Sequence, residues 1–211
     1  MAAMSKTNDQ LVYIVDDDDG IRESLAALLQ SVGIASRGFD SAEASLEALL
    51  SECPACMLVD VRMPGMSGLE LQQRLAEKEL SVPLVMMTGH GDVPMAVQAM
   101  KNGATDFLEK PFNEQALIEL VRRCTAQGMA AGQRRASKDQ IRYRLQHLTE
   151  REREVMGYLV DGKSSKKIAA LLELSPKTVD VHRYNIMRKA NVNSIAELVR
   201  MSLELDSDSP V

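Results

Sequence analysis

The chain has 211 residues, of which 45% are hydrophobic and 26% charged, with a formal net charge of −5. At the usual ~100–200 residues per domain this is one large domain or two small ones. No apolar run approaches the ~18 residues a membrane span requires, and the polar stretch 1–10 lacks the apolar core of a signal peptide, so membrane-spanning, secreted, collagen-like and fully disordered classes are excluded and a cytoplasmic location is expected.

In chain order, residues 11–15 form a β-rich run that ends in the acidic series Asp16-Asp17-Asp18-Asp19 and Gly20. Ile21, Leu25, Leu28, Leu29 and Val32 then recur at helical spacing until Gly33. Residues 35–39 predict a second strand and 41–50 a second helix, with Asp40 and Glu43 spaced as a capping box. The run 57–61 is a third strand, followed by a turn at 63–68 and a helix over 68–79. Residues 84–87 predict a fourth strand leading to Thr88-Gly-His-Gly91, then a helix over 93–101. Asn102-Gly103 is a turn, 106–108 a short fifth strand, and a long helix begins after Pro111. Five βα units with non-alternating apolar strands predict a parallel sheet covered by helices on both faces.

From 127 to 140 the composition shifts to Gly, Ala, Ser, Gln and basic residues. This reads as a linker or as an extension of the preceding helix, in which Gly128 and Gly132 would each cost about 1 kcal/mol. Beyond it lie four short helical segments. Thr149 with Glu152 and Ser194 with Glu197 have capping-box spacing, and Ser175-Pro176 supplies an N-cap and a first-turn proline. The expected divisions are a first domain at 10–123, a linker at 124–143, a second domain at 144–204 and a disordered tail at 205–211. Charge divides at the same place. Residues 1–123 carry 10 Lys and Arg against 19 Asp and Glu, residues 124–200 carry 15 against 8, and the remainder adds −3. An acidic front and a basic back point to different partners.

Two motifs invite misreading. Cys53 and Cys56 form a C-x-x-C, but it precedes a strand instead of opening a helix, and no second pair with zinc spacing exists, so redox or metal chemistry is not expected there. Cys124 reads as a packed or half-exposed helix residue. Gly157-Tyr-Leu-Val-Asp-Gly162-Lys163-Ser164 matches the phosphate-loop pattern, yet it falls in and at the end of an amphipathic helix with Gly162 as its C-cap, where a phosphate loop would follow a buried strand.

Ligands of open parallel α/β sheets sit outside the carboxyl ends of the strands. The polar residues at those ends are Asp16 and Asp17 after strand one, Asp60 near the end of strand three, Thr88 at the end of strand four and Lys110 after strand five. Clustered carboxylates repel, and a hard cation such as Mg²⁺ relieves the repulsion while taking one or two carboxylates, waters and phosphate oxygens. A carboxylate can then attack a phosphoryl group and form an acyl phosphate, with the ammonium and hydroxyl stabilising the transferred oxygens.

Asp16-Asp17, Asp60 with Met63-Pro64-Gly65, Thr88 and Lys110-Pro111 resemble the receiver domain of two-component response regulators. The resemblance implies a flavodoxin-like fold with strand order 2-1-3-4-5 and Asp60 as phospho-acceptor. Asp17, Asp60 and the Arg62 backbone carbonyl are the implied direct Mg²⁺ ligands, and Asp16 holds a metal-bound water. It further implies a cis Lys110-Pro111 bond, a switch coupling Thr88 to the aromatic Phe107, and His90 at the position that tunes hydrolysis of the acyl phosphate. Asp18 and Asp19 read as caps of the first helix. Phe107 taken alone reads as a core residue. An aspartate-nucleophile phosphohydrolase would need a second aspartate where Arg62 stands.

The segments 148–152, 168–172, 175–179, 181–183 and 186–189 form two short helices joined by Glu173-Leu-Ser175, a helix-turn-helix whose second helix can enter a major groove. They resemble the LuxR-type DNA-binding domain in the arrangement of FixJ-like regulators, with Lys167 where many relatives carry an acid. Val179, His182 and Ile186 point inward. The resemblance places Asp180, Val181 and Tyr184 at base edges, while Lys166, Lys177, Thr178, Arg183 and Arg188 are phosphate contacts that position without reading sequence. Asp180 either accepts from a cytosine amino group or stabilises its own helix as a first-turn acid. The expected function is a phosphorylation-dependent transcription regulator that turns over no substrate. Its partners are a sensor histidine kinase, double-stranded operator DNA, a second copy when phosphorylated (through 93–101 and the fifth strand) and RNA polymerase. The alternative is a constitutive DNA-binding protein whose receiver only docks other proteins.

Overall fold

The computed structural model describes residues 10–89 and 93–206, which form two compact units divided after Gly132. In the first unit the strands are β1 (Val12–Val15), β2 (Ser36–Phe39), β3 (Cys56–Asp60), β4 (Leu84–Thr88) and β5 (Asp106–Glu109). They pair parallel in the order β2-β1-β3-β4-β5, which is the expected 2-1-3-4-5 sheet. β1, β3 and β4 are buried along their whole length, so their side chains alternate between two cores. Tyr13, Val15, Met57, Val59 and Met86 pack on one face with Leu71, Leu75 and Ala99. Val12, Ile14, Leu58, Val85 and Met87 pack on the other with Leu25, Leu29, Leu117 and Val121. Those partners come from α1 (Asp19–Ser31), α3 (Gly68–Glu77), α4 (Val93–Lys101) and α5 (Glu114–Leu145).

Local chemistry sets the helix starts. Asp18 caps α1 by accepting from the Gly20 and Ile21 N–H groups, and Ser67 with Glu70 closes a capping box on α3. The box expected at Asp40 and Glu43 does not form. Ser41 is the N-cap residue of α2 (Ala42–Ala48) and donates its hydroxyl to Asp40. Glu43 instead accepts from the Met66 N–H in the loop after β3. A carboxylate that can satisfy a loop amide has no reason to fold back on its own helix.

The linker segment is helical throughout, because α5 runs for 32 residues. Gly128, a weak point by propensity, sits where a Cβ would stand 1.9 Å from the Ala55 carbonyl oxygen, whereas a Cβ at Gly132 would meet nothing within 4 Å. Cys56 opens β3 with Cys53 exposed before it, and the Cys56 and Cys124 thiols lie buried against each other in the second core.

The second unit has its own core of Ile141, Leu148, Val155, Leu159, Ile168, Val179, Ile186 and Leu198. It contains α6 (Glu150–Val160), α7 (Ser165–Leu171), α8 (Pro176–Ala190) and α9 (Ile195–Asp206). The Thr149–Glu152 box forms. Burial alone would raise the Glu152 carboxyl, but Lys189 at 2.7 Å and the Thr149 N–H and hydroxyl hold it below its ordinary value. At the start of α9 the Ser194 hydroxyl accepts from the Glu197 N–H while Glu197 reaches the Asn193 N–H, one residue outside the expected box. Gly157 lies inside α6, and Gly162 follows it at φ +73°, so the phosphate-loop pattern is the end of a helix. Of the tail expected at 205–211, Leu205 and Asp206 belong to α9, and the other residues lie outside the described ones.

Candidate functional site

The strand register brings the polar ends of β1, β3, β4 and β5 to one edge of the sheet. Asp16 follows β1 and is buried, its Oδ1 accepting from the Asp18 N–H at 3.0 Å. Asp60 ends β3, with Oδ2 accepting from the Arg62 N–H at 2.7 Å. Lys110 follows β5. Its backbone N–H donates to the Thr88 carbonyl at 2.7 Å, and the Lys110–Pro111 peptide is cis. Its Nζ then bridges the two acids, 2.7 Å from Asp16 Oδ2 and 2.5 Å from Asp60 Oδ1. Behind the pocket, a Cβ at position 68 would lie 2.3 Å from the Asp60 carbonyl oxygen, so glycine there lets α3 start hard against β3.

Burial pushes the Asp60 carboxyl above its ordinary value; the Lys110 ammonium and the Arg62 N–H pull it down without reversing the shift, and the Asp16 charge adds to the rise. For Lys110, burial pulls the ammonium down, but its bonds and charge interactions with Asp16 and Asp60 win and raise it. Thr88 is buried at the end of β4 and Asp17 is exposed. Phe107, read alone as a core residue, is 45% exposed on β5. His90 lies outside the described residues.

Among the described residues no three acidic, histidine or cysteine side chains converge tightly enough to cage a metal ion as they stand. Two carboxylates suffice for Mg²⁺, which keeps several waters. Asp16 and Asp60 share the Lys110 ammonium, and the exposed Asp17 follows Asp16 at the same edge. This all-oxygen donor set fits a hard divalent ion.

Sequence reasoning missed Arg22. Its Nη1 donates to the Asp16 backbone carbonyl at 2.5 Å and its Nη2 pairs with Asp19. A lone arginine early in a helix reads as solvated, and nothing local in the sequence marks its bond to the Asp16 carbonyl.

In the second unit Ser175 caps α8 by accepting from the Thr178 N–H, with Pro176 in the first turn. The Thr178 hydroxyl shares a 2.7 Å bond with Ser175. Lys177, Asp180, Arg183 and Arg188 are exposed along α8 and Lys166 on α7, while Val179 and Ile186 are buried and His182 is half-buried. Val181 and Tyr184 stand 55% and 68% exposed, far outside the core where their side chains would otherwise belong. Asp180 accepts from the Ser165 hydroxyl at 2.9 Å, a tie between α7 and α8 that neither reading of this residue anticipated.

Residues 12–122 match the response regulator receiver domain and residues 146–202 the luxR family of bacterial regulatory proteins. The chain belongs to the response-regulator family. It is 46% identical over 192 residues to the transcriptional regulatory protein FixJ of Azorhizobium caulinodans, covering 91% of each chain. It is 40% identical over 197 residues to the response regulator protein TodT of Pseudomonas putida F1, covering 92% of this chain and 86% of that one. Among solved structures it is similar to the response regulator StyR, at a TM-score of 0.80 and 42% identity over 92% of this chain and 98% of that one. Full-length FixJ from B. japonicum matches at 0.57 and 42%, over 95% and 98%. The protein is thus a response regulator with a receiver and a LuxR-type DNA-binding domain, a combination that regulates transcription in response to phosphorylation. Response regulators of this build are transcription factors, and their receivers generally use Mg²⁺ and a sensor-kinase partner. Among the described residues no helix is long and apolar enough to cross a membrane.

Proposed function

We propose that Asp60 accepts a phosphoryl group from a sensor histidine kinase and that this modification controls operator binding through α8. The observation that carries the reading is the Lys110 ammonium spanning Asp16 and Asp60 at the carboxyl ends of the strands. In the reaction an Asp60 carboxylate oxygen bonds to phosphorus as the nitrogen–phosphorus bond of the donor breaks, and the imidazole nitrogen keeps the electron pair. Lys110 moves from bridging two carboxylates to contacting a phosphoryl oxygen, and the Thr88 hydroxyl donates to another. Asp17, Asp60 and the Arg62 carbonyl would hold Mg²⁺, with Asp16 holding one of its waters, and the bound ion would supply charge neutralisation for the carboxylates and phosphoryl oxygens. His90 tunes the later hydrolysis.

Movement of Thr88 is coupled to Phe107 on β5, a strand that packs beside α4, which carries the half-exposed Val97 and Met100. This apolar surface pairs two phosphorylated receivers, and the dimer sets two copies of α8 on a two-half-site operator, where the regulator meets RNA polymerase. Asp180, Val181 and Tyr184 reach base edges, while Lys166, Lys177, Thr178, Arg183 and Arg188 contact phosphates. The charge switch biases a two-state domain.

The test is incubation of wild type and Asp60→Asn with Mg²⁺ and acetyl phosphate, read by intact mass and by molar mass in solution. One acid-labile phosphoryl adduct with a shift to dimer, both missing in Asp60→Asn, is the expected result. Wild type without adduct and unchanged in mass overturns the reading and leaves the receiver as a protein-docking module.

A further inference from the structure

We propose that Arg22 is a positioning residue for the divalent-cation site, fixing the acidic turn that presents Asp16 and Asp17. The inference rests on the Mg²⁺-dependent reading of the pocket given above and deepens it.

Four consecutive aspartates, Asp16 to Asp19, leave β1 and enter α1. Their mutual repulsion favours splaying the turn apart, so its shape depends on what holds the backbone. Asp16 is pinned at both of its peptide groups. Its N–H donates to the Phe39 carbonyl of β2 at 3.1 Å, and its carbonyl accepts from Arg22 Nη1 at 2.5 Å. Because the peptide unit is planar, directing the Asp16 carbonyl orients the whole Asp16–Asp17 peptide, and with it the point from which Asp17 departs. The second arm of the guanidinium pairs with Asp19. One planar fork thereby ties the start of the acidic run to its end.

This arginine is no solvated helix residue. Its side chain is 15% exposed, and its stem lies along Gly38 of β2. A bond from a covered guanidinium to a backbone carbonyl persists at salt concentrations that screen an ordinary surface pair. The arrangement is that of an outer-shell partner, which touches no metal but orients the groups that do, and loss of such partners costs roughly 10–100-fold in metal affinity.

Electrostatics alone makes the opposite forecast, and this makes the proposal testable. Deleting a positive charge beside a cation site strengthens cation binding or leaves it unchanged; deleting a positioning group weakens it. Full-length wild type, Arg22→Ala, Arg22→Gln and Arg22→Lys are titrated with Mg²⁺ alone by calorimetry, with thermal unfolding as a check on folding. Arg22→Ala and Arg22→Gln are expected to raise the Mg²⁺ Kd about tenfold. Arg22→Lys, which retains a donor for the carbonyl, recovers part of the loss. Equal or tighter Mg²⁺ binding in the folded variants overturns the role of Arg22 while leaving the pocket reading intact. Should Arg22→Ala fail to fold, Arg22→Lys and Arg22→Gln decide: a Kd raised further in the neutral variant supports the role, and two wild-type values overturn it. Wild type that neither binds Mg²⁺ nor takes a phosphoryl group removes the pocket reading and this inference together.

Discussion

Asp60 stands at a position where burial opposes ionisation. Its carboxyl is raised above the ordinary value, so the folded state binds its proton more tightly than the unfolded chain does. A raised acid costs stability once the pH exceeds its folded pKa, and that cost disappears as the pH falls through it. Asp60→Asn keeps a side-chain oxygen for Lys110 but cannot ionise. It is expected to unfold at a higher temperature than wild type at pH 7, and the gap is expected to narrow as the pH is lowered through the raised Asp60 titration, as measured by circular-dichroism melts. A variant less stable than wild type at pH 7 would mean that the Lys110 bond outweighs burial. At this scale the acids, the lysine and the threonine were legible, because each stands next to a recognisable apolar run. The bonds made by Arg22, Glu43 and Asp180 were not, since each crosses between elements that only the folded chain brings together.

Among the elements, α5 departs most instructively from a propensity reading. Two glycines within a polar, basic stretch left open a linker or an extended helix, and the helix continues through both. At Gly128 the missing side chain lets the helix approach the Ala55 carbonyl, and at Gly132 it serves no packing purpose. The two positions should therefore respond oppositely to the same substitution. Gly132→Ala is expected to stabilise the protein by about 0.5–1 kcal/mol through helix propensity. Gly128→Ala is expected to cost about 2–3 kcal/mol, because either the helix or the start of β3 must move. Urea melts of both variants check this; equal effects would mean that the close approach relaxes freely. Strands and helix starts were readable to within a few residues because burial on both faces and capping are local in sequence. Glycine packed against a carbonyl 73 positions away is not.

Across the whole chain, the charge asymmetry matches the division of labour. The basic half carries the exposed Lys166, Lys177, Arg183 and Arg188, and phosphate contacts release counterions with a slope of about 0.9 per contact on B-DNA. Lys177→Ala is expected to flatten the dependence of log affinity on log salt by about 1 and to weaken operator and unrelated DNA alike. Tyr184→Ala is expected to leave the slope unchanged and to shrink the ratio between the two. Fluorescence anisotropy across a salt series separates these outcomes, and an unchanged slope in Lys177→Ala removes that residue from the phosphate contacts.

The two hydrophobic cores of the first unit and the core of the second share no residue. In evolutionary terms the two halves are free to change at different rates. Substitutions on the outer face of α8 leave undisturbed the packing that holds Asp60 and Lys110. Changes around the acidic edge likewise leave intact the core that supports α8. A gene fusion joined at Gly132 would interrupt neither set of packed side chains, which makes this glycine a natural crossover point for exchanging inputs and outputs among relatives.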